Sequence, residues 1–176
     1  MLLRKINAGL SLLSAFLLMD HAIFHAVWML SKGSVPKTAD IMSWILFGVM
    51  LLHAFVSIDL AISGHEGAEK RKCNTYPQLN RTTLIQRFSG LSLILFSVLH
   101  IAGTIGLLVP PPLVHAILPP LFFTIALMHT AISVSKAFIT LGIGNAKFIK
   151  VADIAVKLLC VATLVADLIG FYIYLA

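Results

Sequence analysis

From Arg81 to Ile105 the chain reads RTTLIQRFSGLSLILFSVLHIAGTI, an apolar run entered through two arginines and holding one histidine, His100, well inside it. At 1.5 Å per residue such a run is long enough for the ~30 Å of hydrocarbon in a bilayer. The same arrangement recurs along the chain, with charged residues falling between long apolar runs instead of alternating with them. At 59% hydrophobic and 11% charged residues, 176 positions supply too little polar surface for a soluble globule. Where lipid is the solvent, backbone polar groups must be bonded within the chain, which favours helices. The expected fold is therefore all-α, an integral membrane bundle of five transmembrane helices in a single domain. The spans are expected near residues 6–30, 41–63, 86–109, 113–139 and 148–175.

The connections carry their own signals. SKGSVPKTAD is a short polar turn, the stretch from Gly64 to Arg87 reads as a loop of about 20 residues, and three prolines at 110–112 are expected to stop the third span. The basic-then-apolar start resembles a signal peptide, but the apolar run continues to about Leu30 with no small-x-small site, so cleavage is not expected. Cys73 and Cys160 are too few and too differently placed for a disulfide framework or a zinc site, and both read as structural.

Basic residues set the orientation. Arg4, Lys5, Lys70, Arg71, Lys72, Arg81, Arg87, Lys136, Lys147 and Lys150 fall on one side, against Lys32 and Lys37 on the other. By the positive-inside rule the N-terminus is cytoplasmic and the C-terminus outside, in the cell inner (plasma) membrane. The net charge of +6 is thereby accounted for as topology, and no nucleic-acid partner is expected.

Counted from the inner end of each span, His21 and His100 lie roughly 20 Å deep, and His53 and His129 roughly 12–15 Å deep. Four histidines on four helices form two depth-matched pairs. An imidazole in hydrocarbon needs its polar atoms occupied. A helix-to-helix hydrogen bond would serve one histidine alone. Two matched pairs point instead to two haem b groups, each iron held between two imidazoles. His25 shares a helix face with His21 and is either the alternative first-helix ligand or a haem propionate or quinone neighbour. His65 and His115 sit at the membrane edges, where solvated or headgroup roles are expected. Gly90 and Gly9, before His100 and His21, offer close approach for a flat ring. Of the intramembrane acids Asp20, Asp59 and Asp167, Asp20 is the quinone-site candidate. Lys157 and Asp167 are too far apart to pair on one helix, so each needs another partner.

With the sequence His53-Ala54-Phe55 before a basic loop, Thr82-Thr83-Leu84-Ile85-Gln86 leading into Phe88-Ser89-Gly90, then His100 and His129, the chain resembles the di-haem cytochrome b membrane subunit of succinate:quinone and quinol:fumarate oxidoreductases, the single-subunit five-helix type. The resemblance covers roughly His21 to Gly144. It implies that the first and third helices share the distal haem and the second and fourth the proximal one. It also implies a flavoprotein subunit carrying FAD and an iron-sulfur subunit on the cytoplasmic side, and a membrane quinone, menaquinone, as electron partner. Arg71, Arg81 and Arg87 are then candidate docking contacts, and a higher-order oligomer of the complex is compatible with this family. No flavin fingerprint or cysteine cluster occurs in this chain, so FAD and iron-sulfur clusters belong to the partners. Two other readings stand beside this one: a haem-free membrane anchor, and a transporter lined by histidines.

Overall fold

The computed structural model describes residues 2–31, 37–63, 77–107 and 112–175. Among the described residues there is no strand; the chain forms α1 (Leu2–Ser31), α2 (Lys37–Ile62), α3 (Pro77–Thr104), α4 (Pro112–Leu141) and α5 (Ala146–Leu175). Each contains a segment of at least 23 residues apolar enough to cross a membrane. The protein is an all-α bundle of five membrane-spanning helices.

Helix ends follow local chemistry, which moves some of the expected boundaries. α3 begins at Pro77, inside the stretch read as loop, because proline at a first helical position gives up an N–H that has no helical partner anyway. It stops at Thr104, ahead of the three prolines. Gly106 adopts a φ of +75° and its N–H bonds the Gly103 carbonyl at 3.2 Å, turning the chain out of the helix first. At the end of α4, Gly142 has a φ of +73°. Its N–H bonds the Ile139 carbonyl at 3.2 Å and the Ile143 N–H reaches back to Phe138 O at 3.0 Å, the double bond of a Schellman cap. Asn145 then caps α5, its Oδ1 accepting the Phe148 N–H at 2.9 Å. The α4–α5 connection is thus a tight turn that sets the two helices antiparallel.

α1 and α4 are the central helices. α1 packs against α2, α4 and α5, and α4 against α1, α3 and α5, whereas α2 and α3 touch only lightly. Among the described residues, Cα atoms of α1 and α3 do not come within 8 Å of one another, nor do those of α2 and α4. The first four helices therefore make a ring whose diagonals are not in backbone contact, with α5 against one side. Small residues permit the close seams: Ala8, Ala22 and Ala26 on α1 and Ala126 and Ala137 on α4 are buried. On α5, a Cβ at Gly170 would stand 3.1 Å from Met29 Cβ. The outer surface is apolar, with Phe16, Phe55 and Leu158 at 70%, 75% and 66% exposure, as lipid-facing positions require.

Within the ring, Leu17 and Leu18 of α1, Leu46 of α2, Leu93 of α3, and Phe122 and Ala126 of α4 meet in one apolar layer. A second cluster, Met19, Leu127 and Cys160, ties α1, α4 and α5 together, consistent with a packing role for Cys160. Cys73 lies outside the described residues.

Candidate functional site

The apolar layer separates two groups of imidazoles. On one side of it are His21 and His25 of α1 and His100 of α3. His21 and His25 are one turn apart, so their rings stack with centroids 6.4 Å apart. His100 is within electrostatic reach of both. Its ring lies 5.4 Å from that of Phe122, which continues to Phe96 at 6.3 Å. On the other side are His53 of α2 and His129 of α4, within electrostatic reach of each other. Both groups thus take imidazoles from helices that face one another across a diagonal of the ring.

Each imidazole is held differently. Ser43 Oγ, on α2, lies 3.0 Å from His21 Nδ1. Ser89 Oγ donates its single proton to the Gln86 carbonyl at 3.0 Å, leaving its lone pairs to accept from His129 Nδ1 at 2.8 Å. The tautomer assigned from this network carries its proton on Nδ1 and leaves the Nε2 lone pair of His129 free, the form an iron ligand must have. Gly90 is in contact with the same ring: a Cβ there would stand 3.1 Å from His129 Cε1. His53 Nδ1 is buried with no hydrogen-bond partner. One turn along α2 from it, Ser57 Oγ donates to Asn7 Oδ1 of α1 at 2.9 Å.

His25 faces α5. Its Nδ1 is 3.5 Å from Asp167 Oδ1, too long for a hydrogen bond. Asp167 is 3% exposed and neither carboxylate oxygen has a hydrogen-bond partner. Phe123 and Trp28 enclose the His25 ring at centroid distances of 5.0 and 5.7 Å. Between His25, Phe123, Pro119, Pro120 and Asp167 is a void of ≈ 10 Å³, about the size of one water. A second opening, ≈ 290 Å³, is lined by Phe88, Ser89 and Ser92 of α3 and Ile125 and Met128 of α4.

Several sequence expectations meet different surroundings. The glycine that allows close approach does so for His129, on the neighbouring helix, and Gly9 has nothing within 4 Å of its would-be Cβ. Asp167 and Lys157 do have separate partners: Lys157 pairs with Asp153, four residues earlier, and Asp153 also accepts from Ser135 Oγ of α4. Asp153 was missed as an intramembrane acid although its i,i+4 spacing from Lys157 is visible in the sequence. Ser43 and Ser89 were also missed, since a serine in a span carries no signal until its neighbour is known. Asp20 is half-buried on α1, and Asp59 is exposed. Arg81 and Arg87 are exposed at the start of α3. Arg71, His65 and the side chain of His115 lie outside the described residues.

Among the described residues, no three His, Cys, Asp or Glu side chains converge as a non-haem metal centre would need. The donor set is instead single imidazoles from opposed helices, among them His129, seated on Gly90 and oriented by Ser89, and His53, with an orphaned nitrogen. These features fit a planar group ligated from two sides. In comparison with known proteins, no family model, no curated protein and no solved structure matches the chain.

Proposed function

We propose that this chain is the membrane anchor and electron-transfer subunit of a succinate:quinone or quinol:fumarate oxidoreductase, with two haem b groups held by His21 and His100 and by His53 and His129. The observation that carries the proposal is the pair of imidazole layers, each drawn from helices that face one another across the ring and separated by an apolar layer. Haem supplies reversible one-electron transfer. The chain's residues do the rest. His21, His53, His100 and His129 offer one nitrogen each, while Ser89 and Ser43 orient two of those rings. The apolar layer of Leu17, Leu18, Leu46, Leu93 and Phe122 keeps water out between the sites. His25 stands beside His21 as alternative ligand, propionate neighbour or quinone neighbour.

In this reading the basic ends of the helices, with Arg4, Lys5, Arg81, Arg87, Lys147 and Lys150, face the cytoplasm of a cell with this chain in its plasma membrane. There they meet an iron-sulfur subunit, which in turn binds an FAD-carrying flavoprotein that interconverts succinate and fumarate. Electrons pass to or from a membrane quinone, menaquinone, for which Asp20 is the candidate proton-exchanging residue.

The test is a reduced-minus-oxidised spectrum of the purified complex, with haem quantified per polypeptide and repeated for His100→Ala. Two haems b falling to one support the proposal. A folded, quinone-active complex without haem would leave the haem-free anchor as the correct reading.

A further inference from the structure

Asp167 sits on α5 eight residues before its end, about 12 Å into the helix and inside the segment that crosses the membrane. A carboxyl group at such a depth is costly unless its oxygens are bonded. Yet it is 3% exposed, and neither oxygen has a hydrogen-bond partner. His25 Nδ1 of α1, 3.5 Å from Oδ1, is buried and orphaned as well. Among the described residues six buried side-chain N and O atoms lack a partner, and three of the six meet here. Three orphans at one contact call for one common partner.

The surroundings do not supply it. The void of ≈ 10 Å³ between α1, α4 and α5 is walled, apart from His25 and Asp167, by apolar groups, Met29, Pro119, Pro120 and Phe123 among them. The two prolines have no N–H to offer. Nor can the helices close the gap by moving together. Three residues beyond Asp167, a Cβ at Gly170 would already stand 3.1 Å from Met29 Cβ and 3.4 Å from the Ala26 carbonyl of α1. The seam is at contact distance while the polar atoms are held apart. A buried water needs about 10–15 Å³ and two to four polar partners, and this void with its three orphaned atoms meets both conditions.

We propose that His25 and Asp167 bind one water molecule in this void, and that the three together form a polar clamp fastening α5 to α1. The water accepts the Nδ1 proton of His25 and donates to the carboxyl group of Asp167. Both side chains are thereby satisfied without a direct bond between them. α5 lies outside the four-helix ring and is tied to α4 near its start by Asp153 and Ser135. The hydrated pair ties it to α1 near the other end. It also sets the tautomer of His25, with Nδ1 protonated and Nε2 left as a lone pair. The site stands independently of the two-haem reading.

The experiment is a cryo-electron microscopy map of the purified full-length chain, with the partners it retains, at a resolution that shows ordered water. It is paired with solid-state nuclear magnetic resonance of protein labelled with [15N]histidine. In wild type, density for one water is expected about 3 Å from both His25 Nδ1 and the Asp167 carboxyl group. Asp167→Asn should keep that water, because an amide can still bond it, and Asp167→Leu should lose it. The His25 signals, assigned by their disappearance in His25→Gln, should show a protonated Nδ1 in wild type and in Asp167→Asn, and should move in Asp167→Leu. A wild-type map with no water in the void, or with the imidazole bonded directly to the carboxyl group, would overturn the proposal. So would a wild-type His25 protonated on Nε2 alone. If Asp167→Leu does not accumulate in the membrane, the wild-type map and spectrum decide the matter without it.

Discussion

Ser89→Ala tests the proposed His53–His129 site at the atom that orients it. Ser89 is 4% exposed, and its hydroxyl holds His129 Nδ1 at 2.8 Å. Truncation removes the acceptor and leaves a ring N–H orphaned beside an apolar seam. A buried donor stranded in this way costs about 1–3 kcal/mol. The loss of an outer-shell partner of a metal-ligating histidine typically weakens affinity about 10–100-fold, or about 1.4–2.8 kcal/mol. The two routes agree, so under the proposed two-haem function the haem held by His53 and His129 should be retained tens of times more weakly while the haem held by His21 and His100 is untouched. Ser92→Ala is the control: Ser92 donates within its own helix to Phe88 O at 2.9 Å, and its loss should stay within about 0.5 kcal/mol. Haem per polypeptide after detergent washing, with the low-spin electron paramagnetic resonance signal of each haem, reads the outcome. A Ser89→Ala complex that keeps both haems and both signals, indistinguishable from Ser92→Ala, would refute the orienting role of Ser89.

Two further predictions need only the folded chain. His25→Leu should lower the thermal midpoint, since it leaves the nearly inaccessible Asp167 carboxyl without its polar neighbour, a cost of about 1–3 kcal/mol for a buried polar group left unpaired. Adding Asp167→Leu should recover most of that loss, and strictly additive melts would show that the two side chains do not interact. In the α4–α5 turn, Gly142→Ala should cost about 1–2 kcal/mol for a side chain in the left-handed region. Gly144→Ala should cost more, because its φ is +79° and its Cβ would also stand 2.2 Å from Phe148 Cδ1; equal effects on the melting temperature would contradict that account.

Much of the architecture was legible before any coordinates, and the reason is that hydropathy accumulates along the chain. Five apolar runs broken by charged segments require five helices in lipid whichever helices adjoin, and the positions of His21, His53, His100 and His129 within them follow from counting alone. Helix ends were less legible, because a left-handed glycine such as Gly106 stops a helix earlier than the prolines that draw the eye. What each buried polar group touches could not be read from any single span. Gly90 precedes His100 on its own helix, yet it seats His129, because α3 packs on α4 and does not approach α1. Asp167 meets His25 because α5 lies against α1, and Ser89 and Gln86 acquire roles only when α4 brings His129 and Lys136 beside them. The sequence by itself determined how many helices form and where along each helix the histidines fall. Only the packing of small residues along the α1 and α4 seams decided which helices adjoin, and with that which nitrogen, carboxylate and ammonium found one another.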